Sequence, residues 1–379
     1  MKMPGDARTD ARGHRFGGEP KQTALAVEVV PHPSDRDTGF LGNPANRDAF
    51  DPVTADDLPN GAGELRTSLV VVNDFGHPAF LAQLCYVCYS TSVLNKTGGR
   101  AHVEALIVLA TGLAIFVGSA LWLLWTGNTG VRYSADHDGT VPMWWRWIPA
   151  LAGIALVRLV PPDVSMGVRK GRKLRIEAAV LLAAAVLFAT TLRLAGGGEP
   201  AHTLLKLPLL LGVPAVMFWL LRREPATWTA ESPTTSWRRY GPAIPVAVWL
   251  ALSYAGPLSP PPSDYALEVD AFTLAITIVV VLLVNSVLEE VFYRRWLQTR
   301  WELLLGRWPA IVLASLLWAA WHIGIQGTGS LQTDLASTFV NQGVLGLFLG
   351  YLWSKYRTMW PILVVHGAVN VVPVLTPLL

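Results

Sequence analysis

Charge is scarce in this chain. Of its 379 residues only 15% are Asp, Glu, Lys or Arg, while 52% are hydrophobic, a balance too apolar for an ordinary soluble domain and typical of a polytopic membrane protein. Cysteine is scarcer still. The two present, Cys85 and Cys88, support no disulfide framework, and a C-x-x-C with no redox or zinc context reads as incidental. The chain also lacks an H-E-x-x-H string for a zinc metalloprotease, a G-x-S-G string for an intramembrane serine protease, and the paired intramembrane aspartates of an aspartyl protease. No internal repeat of the transporter kind is evident. The net charge of +3 is small, and nucleic acid is not an expected partner.

What is present divides near residue 100. Residues 1–68 are rich in Asp, Arg, Gly, Pro and Asn without periodicity, which predicts a disordered leader, with no signal peptide at its start. The stretch from Leu69 to Tyr89 is more apolar but is broken by Asp74, Gly76, His77 and Pro78, and reads as interfacial or weakly structured. Three regions follow: a leader over 1–100, amino-terminal transmembrane helices over 101–240, and a membrane core over 241–379.

Apolar runs beyond residue 100 are long enough to cross a hydrocarbon core of about 30 Å, which takes roughly 17 to 25 helical residues. The pattern predicts an all-α helical bundle of about eight to nine spans, near 103–125, 144–161, 175–194, 203–221, 241–258, 271–291, 308–325, 338–354 and 360–378. The second and fifth carry Arg146, Pro149, Pro242 and Pro245 in or beside them and are the weakest. Helices are the expected form because lipid leaves no partner for exposed backbone groups.

Basic and acidic loops alternate. Arg169 to Arg175, then Arg222 to Arg239, then Arg294 to Arg307, then Lys355 and Arg357 define one side; Asp136 and Asp138, Glu199, Asp264 to Asp270, and Asp334 define the other. Basic loops face the cytoplasm, which predicts a cytoplasmic amino terminus. Trp, Arg and Ala content suggests a bacterial source and hence a plasma membrane.

Against this background a few polar groups stand out. Glu289 and Glu290 end a run of uncharged residues from Ala271 to Leu288, where an ionisable group costs roughly 2.5–3.5 kcal/mol and is by default functional. Residues four apart on a helix share a face, so Glu290 can pair with Arg294 and leave Glu289, rotated about 100° away, free. His366 and Asn370 are likewise four apart, as are Trp318 and His322. Together these supply a carboxylate able to take a proton from water, an imidazole to support that water or protonate a leaving group, and donors for a developing oxyanion. The same Glu, His, His and Asn could in principle bind a divalent metal, although no cofactor is expected. Lys206 and His202, near the start of another span, read as interfacial.

The strings E-E-x-x-x-R (Glu289 to Arg294), W-x-x-x-H (Trp318 to His322) and H-x-x-x-N (His366 to Asn370) occur in that order. In order and spacing they resemble the motifs of the CPBP family of intramembrane glutamic endopeptidases, which includes the CAAX prenyl endopeptidases and bacterial bacteriocin-immunity proteins. The likeness covers about residues 240–379. It implies that Glu289 activates the hydrolytic water, that His366 helps to hold it, that Glu290 with Arg294 is structural, and that His322 with Asn370 forms the oxyanion site. It also implies a membrane-embedded or lipid-modified peptide substrate. Trp318 stands where the family usually has Phe, a change bearing on pocket volume. Two other classes remain open: a non-catalytic scaffold or immunity-type binder, and a transporter with a Glu/His proton relay.

One expectation strains the placement. Glu289 and Glu290 fall at the cytoplasmic end of a helix closing at 291, and His366 lies at similar depth, about 8 Å past Pro361. His322, thirteen residues after Pro309, would stand about 20 Å along its own helix and so beyond the other two.

Overall fold

A computed structural model describes residues 98–133, 139–161, 166–168, 171–198, 200–223, 228–230 and 236–378. The leader, the Leu69 to Tyr89 segment, Cys85 and Cys88 lie outside the described residues, as do Asp136, Asp138, Arg169, Lys170 and Glu199.

The described chain is almost entirely helical. Its principal helices are α1 (Gly98–Trp125), α2 (Met143–Leu159), α3 (Arg172–Leu194), α4 (Ala201–Leu220), α5 (Ala243–Tyr254), α6 (Ala271–Leu305), α7 (Arg307–Gln326), α8 (Leu331–Tyr356) and α9 (Met359–Leu378). Two short antiparallel strand pairs accompany them: β1 (Gly130–Arg132) with β2 (Thr140–Pro142), and β3 (Met166–Val168) with β4 (Trp228–Ala230). Among the described residues seven helices are long and apolar enough to cross a membrane, fewer than the eight or nine expected. The two that fall short, α2 and α5, are the spans that the sequence marks as weakest. At 12 residues, α5 rises only about 18 Å, well below a bilayer core.

Of these short helices α5 packs chiefly against α2 and α9, and α2 in turn packs against α8. Gly153 of α2 makes this possible, because a Cβ there would lie 2.5 Å from the ring of Phe348. Trp249 of α5 stacks on the same ring. The interiors of α7 and α8 are mostly enclosed, whereas α1, α4, α9 and the first half of α6 turn apolar side chains outward, as a lipid-facing shell requires.

The largest departure from expectation is α6. It starts at Asp270, whose carboxylate accepts from the backbone N–H groups of Phe272 and Thr273 and from the Thr273 hydroxyl. The Thr273 hydroxyl, ahead of the backbone donors, holds this carboxyl below the usual carboxylate range. The helix then runs not to 291 but to Leu305, 35 residues in all, or about 50 Å. Its halves differ in kind. Phe272, Ile276, Val279, Val280 and Leu283 are exposed apolar residues, while Glu290, Arg294, Gln298, Thr299, Arg300 and Glu302 are buried.

The stretch read as a basic loop is therefore helix mostly enclosed by protein, with Arg295 left exposed, and several of its buried polar groups are partnered. Arg300 Nε donates to Glu177 of α3 at 3.0 Å, Gln298 donates to the Gly350 carbonyl of α8 at 2.8 Å, and Glu302 binds Arg357 at 2.8 Å and Ser354. Glu289 and Glu290 consequently sit near the middle of their helix, not at its end.

A sharp turn at Gly306, with φ of 88°, a conformation that favours glycine, folds α7 back along α6. Counting from that turn resolves the depth mismatch. Glu289 lies seventeen residues before Gly306 and His322 sixteen after it, so both stand about 25 Å from the turn.

The described basic segments converge on one end of the bundle. Lys355 donates to the Val157 and Arg158 carbonyls, Tyr356 to Val160, Arg238 to Tyr356 and Trp360 to Arg239. Substituting Gly153→Val should force the Phe348 ring aside and lower stability by about 1–3 kcal/mol. Thermal unfolding in detergent reads this, and an unchanged midpoint would refute the close approach of α2 to α8.

Candidate active site

Glu289 is buried to 1% exposure, yet its carboxylate meets side chains from three other helices. Lys206 Nζ of α4 donates to Oε1 at 2.7 Å. Trp318 Nε1 of α7 donates to Oε2 at 2.6 Å. His366 Nε2 of α9 faces the same Oε2 at 3.9 Å. On α6 itself, Asn285 Oδ1 one turn earlier accepts from Lys206 at 2.8 Å.

Glu290, its wholly buried neighbour, has a separate set of partners. Oε1 accepts from His366 Nδ1 at 2.8 Å, and Oε2 lies 3.5 Å from Arg294 Nε, an i,i+4 ion pair with both side chains at 0% exposure. The guanidinium also lies over the Trp318 ring, 5.1 Å from its centroid, a favourable cation–π placement. Since a carboxylate only accepts, the Glu290 contact fixes the proton of a neutral His366 at Nδ1. Nε2 then turns its lone pair toward Glu289.

The helix departs from α geometry on both sides of the pair. Leu282–Val287 and Glu290–Gln298 have i→i+5 hydrogen bonding, which recurs at functional positions. The same pattern occurs in Leu207–Gly212, directly after Lys206.

His322 joins the cluster through aromatic contacts. Its Nδ1 donates to the Trp318 carbonyl at 2.9 Å, its ring meets Trp318 edge-on with centroids 5.1 Å apart, and it stacks on Trp321 at 3.8 Å. Trp321 in turn stacks on His202 at 5.2 Å and lies beneath Lys206 Nζ at 4.8 Å. Asn370 is half-buried and donates at 3.0 Å to Ser286 Oγ, a hydroxyl one turn from Glu290 on α6.

Three readings of the sequence need correction. Lys206 and His202 are not interfacial: Lys206 is wholly enclosed and ion-paired, and His202 packs inside the aromatic stack. Glu289 is not left free by the pairing of Glu290 with Arg294, because Lys206 supplies it with a cation. Trp318 is more than a wall, since its indole N–H binds the carboxylate, which the Phe usual at that place cannot do. A signal for Lys206 did exist: a lysine inside the apolar run Leu204 to Val213 meets the same criterion of intramembrane charge that singled out Glu289.

Residues 271–372 match the family model described as Type II CAAX prenyl endopeptidase Rce1-like. This segment is a CAAX-protease family domain. The match runs from the start of α6 into α9 and takes in every sequence motif of the cluster; the seven long apolar helices among the described residues mark an integral membrane protein. Lys206 and His202 lie outside the matched stretch. No curated protein and no solved structure matches the chain.

Replacing Trp318 by Phe tests the indole contact with little change in bulk. A hydrogen bond to a charged group contributes about 1.5–3 kcal/mol, so Trp318→Phe should lose stability in that range by detergent unfolding. Wild-type stability would mean that the indole N–H is not spent on Glu289.

Proposed function

We propose that the cluster is the active site of an intramembrane endopeptidase in which Glu289 activates water for attack on a peptide bond of a membrane-embedded or lipid-modified substrate. One observation carries this reading: a buried carboxylate and a histidine lone pair face each other across 3.9 Å, Glu289 Oε2 to His366 Nε2. Both are acceptors. A water beside the line joining them can donate one hydrogen to each, leaving an oxygen lone pair free for attack.

The remaining residues take consistent roles. Glu290, neutralised by Arg294, orients His366. Glu289 accepts the proton of the attacking water, and the acid so formed, or His366 once protonated, returns a proton to the leaving amine. Asn370 keeps a second amide hydrogen beyond the one given to Ser286, which it can offer to the oxyanion. His322 gives its Nδ1 hydrogen to a carbonyl, so it serves as an oxyanion donor only when Nε2 is also protonated.

The substrate class follows the family, since CAAX proteases act on membrane-associated chains. The lipid-facing first half of α6 supports lateral approach. Convergence of the basic segments supports a cytoplasmic location for that end of the bundle, by the positive-inside rule. The route as drawn uses no metal, since both Glu289 oxygens and both Glu290 oxygens face cations or N–H groups.

Two experiments test this. Glu289→Gln and His366→Ala, each confirmed as folded, should lower turnover of an internally quenched farnesylated CAAX peptide by about 100-fold or more, the range for general acid–base groups. Membranes of cells expressing Glu289→Gln should accumulate uncleaved peptides. Unchanged turnover in either variant refutes the assignment, and the absence of any cleaved peptide with the wild-type protein favours a binding protein. Activity should also survive chelation of divalent metals; loss restored by added metal would overturn the metal-free route.

A further inference from the structure

From the geometry around α4 we infer that Lys206 is a positioning residue for the hydrolytic reaction, fixing the direction of the Glu289 carboxylate and supplying its counter-charge from a helix outside the recognised domain. This rests on the peptidase reading of Glu289.

The first argument is charge. Glu289 and Glu290 are consecutive and both enclosed, and two adjacent carboxylates removed from water need two cations. Arg294 serves Glu290 at 3.5 Å and Lys206 serves Glu289 at 2.7 Å. With neutral histidines the cluster then balances. Without Lys206, α6 and α9 would bury a net negative charge.

The second argument is direction. Lys206 Nζ bridges Asn285 Oδ1 and Glu289 Oε1, one helical turn apart on α6. This holds Oε1 toward α4 and leaves Oε2 to face Trp318 and His366. A carboxylate free to rotate about its last bond would lose that distinction, and the water site between Oε2 and His366 with it. An ammonium suits the role because it is a compact donor that can serve two acceptors on one helix face.

The third argument is reach. The same ammonium lies 4.8 Å from the Trp321 ring centroid, and Trp321 stacks on His322 at 3.8 Å. Lys206 therefore touches the support of both the acid and the second histidine. His202, one turn before it, backs the same indole. A residue in α4 thus joins the two sides of a site otherwise built entirely from α6, α7 and α9.

The test has two arms, each on the full-length protein in detergent. The first is an unfolding cycle over wild type, Lys206→Met, Glu289→Gln and the double variant. Coupling predicts that Lys206→Met lowers the midpoint and that the double variant is no less stable than Lys206→Met, because the orphaned carboxylate has gone too. Additive losses overturn the proposal. If Lys206→Met cannot be recovered folded, recovery of the double variant supports the coupling, and failure of both marks Lys206 as a general packing residue and overturns it.

The second arm is turnover of the farnesylated CAAX peptide. Lys206→Met, or Lys206→Gln where the methionine variant does not fold, should lower kcat at least tenfold while KM stays within about threefold. A full kcat refutes the positioning role, as does a loss confined to KM. An active Glu289→Gln variant would sink the peptidase reading alone, since the unfolding cycle would still report whether the two side chains are coupled.

Discussion

Two neighbouring carboxylates enclosed in protein are the constraint around which the helices are arranged. Removing one such ion from water costs several kcal/mol after relaxation, and the cost is recovered only where cations and hydrogen-bond donors are close and well placed. No single helix can meet that demand for both side chains. Arg294 comes from the same helix, Lys206 from α4, the Trp318 indole from α7 and the His366 imidazole from α9. The requirement to satisfy Glu289 and Glu290 therefore ties four helices together at one depth. It is a specification of geometry more than a source of net stability.

The same arrangement gives each carboxylate a different task. Glu290 meets Arg294 with one oxygen and His366 with the other, and in the proposed mechanism it orients. Glu289 is steadied on one oxygen by Lys206 and on the other by Trp318, yet an oxygen accepts more than one hydrogen bond, and Oε2 still faces His366. Two chemically identical side chains, adjacent in sequence, are differentiated by which helices they meet. The i→i+5 turns on both sides of the pair alter the face on which each carboxylate emerges.

Much of this was legible in the sequence. Helices follow from long apolar runs in a chain with little charge, and Glu289, Glu290, Arg294, Trp318, His322, His366 and Asn370 stand out by intramembrane polarity and four-residue spacing. What escaped has physical reasons. The length of α6 was hidden because its second half is polar and charged, and hydropathy cannot tell a solvated loop from a helix whose charges are partnered inside protein, as Arg300 is by Glu177. That error moved Glu289 to a helix end and produced the depth conflict with His322. Lys206 reads as interfacial because a lysine near a helix start ordinarily snorkels to the interface, and only the tertiary fold brings it beside a carboxylate 83 positions away.

The central claim is that Glu289 acts on water as a base and not on the substrate as a nucleophile. A single turnover in heavy-oxygen water, followed by mass spectrometry of product and enzyme, separates the two. The account predicts heavy oxygen in the newly formed carboxylate of the product and none in the side chain of Glu289. Label in Glu289, with an unlabelled product from that first turnover, would contradict it.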